Sequence, residues 1–176
     1  MITLITGGAR SGKSIFAEKL LSKSGRVYYI ATAQALDDEM EKRIMEHQKR
    51  RDKKWITIED PHYPANALTN LPDKAAILLD CVTLYISNCF GRGMGFSAIK
   101  KEFSKMIKKI KEKKLTAVFI TNEVGSGIVP ANEMSRDFRD TQGLINQFLA
   151  KNSDKVYLCV SGIALQIKGE KHNEKT

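Results

Sequence analysis

Eight residues near the amino terminus, Gly7-Gly8-Ala9-Arg10-Ser11-Gly12-Lys13-Ser14, fit the spacing G-x-x-x-x-G-K-[ST]. The spacing has a mechanical reason. Glycines let the backbone curl so that successive N–H groups point inward at phosphate oxygens, and the start of a following helix adds partial positive charge. Lys13 then reaches the β- and γ-phosphates as a point charge, and Ser14 offers a hydroxyl to Mg²⁺. All eight residues are therefore candidate nucleotide contacts, with Lys13 catalytic. An enzyme of this kind also needs an acid near the metal, usually at the end of a hydrophobic strand. Ala76-Ile77-Leu78-Leu79-Asp80 supplies one, so Ser14 and Asp80 are the candidate metal ligands for Mg²⁺ carried with ATP or GTP.

A second constellation lies in Arg43-Ile44-Met45-Glu46-His47-Gln48-Lys49-Arg50-Arg51. On a helix, Arg43 and Arg51 fall one turn either side of His47 on the same face. A neutral imidazole is a competent nucleophile toward phosphorus, and neighbouring guanidiniums would hold phosphates and disfavour ring protonation. A solvated basic helix face accounts for the same pattern, and the residues alone leave both readings open.

The elements that must position these groups alternate. Ile2–Thr6 reads as a strand and Ser14–Leu21 as the helix after the glycine loop. Val27–Ala31 reads as a buried strand, and 37–54 as a charged helix opened by Asp37, Asp38 and Glu39, which suit its positive end. A short strand at Ile56–Glu59 precedes a turn-rich stretch from Asp60 to Pro64. Ala75–Asp80 is a continuous apolar strand. Phe96, Ile99, Phe103, Met106, Ile107 and Ile110 mark one face of a helix to about Lys114. Thr116–Thr121 is the next strand, ending at Asn122-Glu123. A helix through Phe138, Ile145, Phe148 and Leu149 follows, then strands at Val156–Val160 and Ile163–Ile167. Alternation of this kind predicts an α/β fold, a mostly parallel sheet flanked by helices. Residues 1–168 are expected to form one nucleotide-binding domain and 169–176 a polar tail.

Composition narrows the function. At 176 residues, 42% hydrophobic and 28% charged, the chain is of ordinary globular type. No apolar run approaches the roughly 18 residues of a membrane span, and no basic flank with an apolar signal region opens the chain. Cys81, Cys89 and Cys159 are too scattered for a disulfide framework or zinc ribbon and read as reduced cytosolic thiols. The net charge of +9 is concentrated in two segments. Residues 42–54 hold seven basic and two acidic side chains, and 100–114 hold eight lysines and two glutamates. Basic helices suit nucleic acid, but the one aromatic residue among those lysines, Phe103, falls on the apolar stripe rather than serving as a stacking platform, so no nucleic-acid partner is expected. The guanine-reading Asn-Lys-x-Asp stretch of small GTPases is replaced by Asn122-Glu123-Val124-Gly125. A small transferase acting on a soluble metabolite fits the length. A simple P-loop small-molecule kinase and an ATP-dependent nucleic-acid-binding protein are the alternatives.

Taken together, several segments resemble the bifunctional adenosylcobinamide kinase / adenosylcobinamide-phosphate guanylyltransferase family of cobalamin biosynthesis. They are Thr6–Ser14, Tyr29-Ile30-Ala31-Thr32-Ala33, Asp37-Asp38-Glu39-Met40…Arg43-Ile44…His47…Arg51, Trp55…Thr57…Glu59 and Leu78-Leu79-Asp80-Cys81. Thr121–Pro130, Phe138-Arg139-Asp140…Gly143…Asn146-Gln147 and Ser161-Gly162 complete them. The resemblance implies a RecA-like P-loop NTPase fold. It implies phosphorylation of adenosylcobinamide by ATP or GTP, then transfer of GMP from GTP to adenosylcobinamide phosphate with release of pyrophosphate. The family's guanylylated histidine falls on His47. Its nucleotide contacts fall on the glycine loop, on Ala31, Thr32 and Ala33, on Gln48, Lys49, Arg50 and Arg51, on Glu59 and on Asp80. It also implies assembly as a homotrimer, and with the reduced thiols a cytoplasmic protein is expected.

Overall fold

Strands buried on both faces carry unbroken apolar runs, and the interior of this sheet is built from them. The computed structural model describes residues 1–35, 37–50, 52 and 54–169, with the side chains of Arg43, His47 and Arg50 not described. Its elements run β1 (Ile2–Gly7), α1 (Lys13–Leu21), β2 (Val27–Ala31), α2 (Asp38–Arg50), β3 (Ile56–Glu59) and α3 (Pro64–Ala67). After a 3₁₀ turn at Leu68–Asn70 come β4 (Ala76–Asp80), α4 (Val82–Gly91), α5 (Phe96–Glu112), β5 (Thr116–Ile120), α6 (Glu133–Asn152), β6 (Lys155–Val160) and β7 (Ile163–Lys168). The seven strands are ordered β3-β2-β4-β5-β1-β6-β7. Every neighbouring pair is parallel except the β6–β7 hairpin.

Side chains alternate across each strand, so one run feeds two cores. Leu4, Ile77, Leu79 and Phe119 join Tyr85, Phe103 and Ile145 from the helices on one face. Ile5, Leu78, Val118 and Ile120 meet Ala17 and Leu21 of α1 on the other. The stripe expected on α5 is the buried one: Ile99, Phe103, Met106, Ile107 and Ile110. Its lysines occupy the outer face, where Lys105 pairs with Glu102 at 2.6 Å, and Lys113 donates to the Leu71 carbonyl at 2.7 Å.

Three boundaries differ from the sequence reading. The charged helix expected over 37–54 is α2, ending at Arg50; Arg51 and Lys53 lie outside the described residues, as does 170–176 of the expected tail. The turn-rich stretch after Asp60 runs into the short α3, where Pro64 supplies the preset φ of a first turn. Most notably, α4 has no counterpart in the sequence reading. Apart from Leu84, its residues have poor helix propensity, yet Val82, Thr83, Tyr85, Ile86 and Cys89 are buried. Burial overrides propensity here, and the Cys81 sulfur caps the helix by accepting from the Leu84 amide at 3.4 Å. Among the described residues no helix is long and apolar enough to cross a membrane.

Candidate active site

Six parallel strands place their carboxyl ends on one edge of the sheet, where ligands of open α/β folds bind, and five of them, from β3 to β1, carry the residues at issue. In spatial order these ends are Glu59 on β3, Ala31 on β2, Asp80 on β4, Ile120 on β5 and Gly7 on β1. The row spans four strand spacings, about 19 Å at about 4.8 Å each.

At the Gly7 end the backbone folds as the motif requires. Gly7 has φ +148°, and a Cβ there would overlap the Cys159 carbonyl oxygen. Gly12 sits at φ +94° as the N-cap of α1, and its Cβ would stand 3.1 Å from the Gly162 Cα. The β6–β7 turn thus supports the loop from beneath, and the Gly162 amide donates to the Ser11 carbonyl at 3.1 Å. The first turn of α1 holds no acid, so its positive end stays available to an anion.

Lys13 is 7% exposed. Its Nζ donates to the Gly7 carbonyl at 3.0 Å and the Gly8 carbonyl at 2.5 Å. Burial holds its pKa below the ordinary lysine value, while Cys81, Cys159 and Asp80 oppose the shift. The ammonium therefore lies beneath the loop rather than in solvent. Ser14 is half-buried in the first turn of the same helix.

Asp80 ends β4, and its Oδ2 accepts the Tyr29 hydroxyl at 2.8 Å. A serine hydroxyl and a carboxylate are hard oxygen donors of the kind Mg²⁺ takes alongside phosphates and water. Among the described residues no cluster of three His, Cys, Asp or Glu side chains offers an alternative metal site. The residues present fit the ion.

Thr32 plays a different part from a surface contact. It has no solvent exposure. Its hydroxyl accepts from the Cys81 amide and donates to the Cys81 carbonyl, both at 2.8 Å. Its amide donates to the Asp80 carbonyl at 3.2 Å, and its own carbonyl accepts from Asn88 at 2.8 Å. Thr32 ties the end of β2 to the end of β4, and Ala31 and Ala33 flank that tie, half-buried. Cys81 beside it is no nucleophile: burial, reinforced by Asp80, pushes its thiol up to about 12.

The other expected contacts belong to β3, at the far end of the row, and to α2. Glu59 is exposed on the outermost strand. The helix α2 follows β2, and none of its described residues is buried; Gln48 and Lys49 are exposed. Asp37 caps it, with Oδ1 accepting from the Met40 amide at 2.7 Å. His47 and Arg50 are residues of this helix, but their side chains, with Arg51, fall outside what the structure describes.

Two groups beside the site stand in segments quoted for the resemblance but are given no role in the sequence reading. Tyr29 is one. The other is Glu123, just after β5, whose amide donates to the Gly7 carbonyl at 3.2 Å and whose Oε1 accepts from Thr6 at 2.6 Å. The rule that singles out Asp80, an acid at the end of an apolar strand, applies equally to Glu123.

Comparison with known proteins gives a consistent set. A family model described as cobinamide kinase / cobinamide phosphate guanyltransferase matches residues 3–167. The bifunctional adenosylcobalamin biosynthesis protein CobU of Salmonella typhimurium is 41% identical over 181 residues, covering 96% of this chain and 100% of the relative. Its Escherichia coli counterpart is 40% identical with the same coverage. The bifunctional protein CobP of Pseudomonas aeruginosa is 38% identical over 172 residues, covering 97% of this chain and 99% of its own.

Proposed function

The chain belongs to the cobinamide kinase / cobinamide phosphate guanyltransferase family, and we propose that it catalyses both reactions of that name. It phosphorylates the hydroxyl of adenosylcobinamide from ATP or GTP, then transfers GMP from GTP to the phosphate so formed, releasing pyrophosphate. The observation that carries this reading is the glycine loop with its buried Lys13, set in a chain that the family model matches from residue 3 to 167.

In the first reaction the loop amides and the positive end of α1 hold the phosphates. Lys13 exchanges the Gly7 and Gly8 carbonyls for phosphate oxygens and stabilises the charge that develops during transfer. Ser14 and Asp80 would hold Mg²⁺, which when bound neutralises phosphate charge. Tyr29 orients Asp80 through the 2.8 Å hydrogen bond.

In the second reaction His47 acts as the nucleophile. Its ring nitrogen attacks the α-phosphorus of GTP, the bond to pyrophosphate breaks, and a phosphate oxygen of the acceptor then displaces the imidazole. Support comes from the resemblance that aligns His47 with the guanylylated histidine, and from its place on α2. Gln48, Lys49, Arg50, Arg51 and Glu59 serve the same nucleotide. Assembly as a homotrimer belongs to this reading too. The hairpin at the edge of the sheet leaves Val160, Ile163, Leu165 and Ile167 each more than half exposed, an apolar stripe that a second copy would cover.

Incubation with GTP labelled in the α- or the γ-phosphate tests the covalent step. The α-label should stay on the protein in an acid-labile, base-stable form, the γ-label should not, and His47→Asn should abolish retention. Retention by that variant would move the nucleophile elsewhere. An active wild-type enzyme with no adduct would leave direct transfer.

A further inference from the structure

Phosphorylating an alcohol requires a group to take the hydroxyl proton, and the residues discussed so far for this reaction bind phosphate, metal or backbone. We propose that Glu123 is the general base of the kinase reaction, an inference that rests on the functional reading above.

Its placement is the first observation. β5 lies between β4 and β1, so the chain leaving β5 emerges between Asp80 and the glycine loop. The Gly7 carbonyl accepts both the Glu123 amide at 3.2 Å and the Lys13 ammonium at 3.0 Å. Glu123 is therefore fixed by its backbone to the residue that opens the phosphate cradle, on the side facing the rest of the strand ends.

The second observation is how its carboxylate is held. Oε1 accepts from the Thr6 hydroxyl at 2.6 Å and from Asn146 Nδ2 at 3.1 Å. Asn146 belongs to a buried polar group on α6 and at the residue that follows β5. Its Oδ1 accepts from Thr121 at 2.7 Å and from Gln142 at 2.8 Å, and Gln142 also donates to the Thr121 hydroxyl at 2.9 Å. Thr121 and Gln142 have no solvent exposure, and Asn146 has 7%. Asn146 Nδ2 also donates to the Asn122 carbonyl at 3.1 Å, and Gln142 Oε1 is buried with no hydrogen-bond partner among the described residues. Burying such a group is costly, and what it holds, through Asn146, includes one oxygen of Glu123. The residue itself is exposed, and among the described residues no hydrogen bond reaches Oε2. One oxygen is clamped and the other is presented outward, as a base requires.

The step balances. The acceptor O–H bond breaks and its proton passes to Glu123 Oε2, the acceptor oxygen bonds to the γ-phosphorus, and the β–γ bridging bond breaks with its electron pair leaving on the nucleoside diphosphate. Asp80, tied to Tyr29 and assigned to the metal, is left to that role.

Glu123→Gln tests the assignment, because the amide oxygen still accepts from Thr6 and Asn146 while the basic oxygen is gone. With full-length enzyme, kcat for phosphorylation of cobinamide should fall at least about 10²-fold, within the range typical of a general base. KM for nucleotide should move by less than about threefold, and GMP transfer to supplied cobinamide phosphate should stay within about twofold. Glu123→Asp, which restores a carboxylate, should recover at least about tenfold over the glutamine variant. Equal loss of both half-reactions, phosphorylation within about fivefold of wild type, or no advantage of aspartate over glutamine would each overturn the inference. A wild-type protein that transfers no phosphoryl group to cobinamide would instead overturn the functional reading, and the inference with it.

Discussion

Replacing Thr32 with valine removes one hydroxyl from a site with no solvent access and separates two roles for the residue. The hydroxyl accepts from the Cys81 amide at 2.8 Å and donates to the Cys81 carbonyl at 2.8 Å. That carbonyl keeps a second donor, the Tyr85 amide at 3.1 Å, so its loss is small. The Cys81 amide loses its acceptor outright. A buried unsatisfied donor costs about 1–3 kcal/mol, and the lost bond to the carbonyl adds about 0.5–1 kcal/mol. Valine fills nearly the same space, so no cavity is added, and the expected destabilisation is about 1.5–4 kcal/mol. At about 2–4 °C per kcal/mol for a chain of this size, Tm should drop by about 3–16 °C. The backbone bonds from Thr32 to Asp80 and from Asn88 to Thr32 persist, so the folded variant should bind nucleotide with Kd within about threefold of wild type. Thr32→Ser, which keeps the hydroxyl and loses one buried methyl, should cost only about 0.8 kcal/mol. Urea unfolding at constant m gives the stability, and equilibrium dialysis gives Kd. A valine variant of unchanged stability with a tenfold weaker nucleotide Kd would refute the reasoning, because the hydroxyl would then serve the ligand.

Lys13→Ala should lower phosphoryl transfer by orders of magnitude in a folded protein, since the ammonium stabilises developing charge; near-normal turnover would remove it from the mechanism. The wild-type ammonium also predicts a pH limb: burial lowers its pKa below 10.5, so the charged form is present at low pH and is lost as pH rises through that lowered value. The kinase kcat/KM, which reports the free enzyme, should therefore fall on the alkaline side before pH 10.5, and the limb for kcat should lie higher because bound phosphates favour the charge. Changing Lys105, Lys108 and Lys111 to glutamine should leave turnover with cobinamide almost unchanged, because Lys105 and Lys108 make exposed pairs with Glu102 and Glu112. Tight polynucleotide binding with a steep salt dependence that those changes abolish would give the α5 face a different role.

Which parts of this molecule could be read from the chain follows from how far apart the deciding residues are. The strands are legible because a parallel sheet covered on both sides needs continuous apolar runs, and Ile77-Leu78-Leu79 and Val118-Phe119-Ile120 are such runs. The helix α5 is legible because its buried residues recur at helical spacing while lysines fill the gaps. By contrast α4 is apolar on more than one side and built from Val82, Thr83, Tyr85 and Ile86, types that also make strands. Only its burial under α6 and beside α5, with Tyr85 edge-on to Phe103 at 5.5 Å, decides the outcome. No local signal carries that information.

The site divides along the same line. The glycine loop is contiguous in sequence, so its chemistry is written in eight neighbouring residues. Asp80 is recognisable by its position after an apolar run. Glu123 satisfies the same rule, but its meaning depends on β5 entering the sheet between β4 and β1, a choice of strand order that composition and spacing do not express. That order brings Thr6 and Asn146, distant from Glu123 by 117 and 23 residues, onto one carboxylate oxygen. It likewise sets Tyr29, which reads as one more buried residue of β2, against Asp80 across 51 residues. Strand order also sends Glu59 to the far end of the row, about 19 Å from β1 by strand spacing. A protein that first moves a γ-phosphoryl group and then a nucleotidyl group needs two places where phosphorus can be attacked. Strand order sets the glycine loop at one end of the row of strand ends and Glu59 at the other, with Asp80 between them.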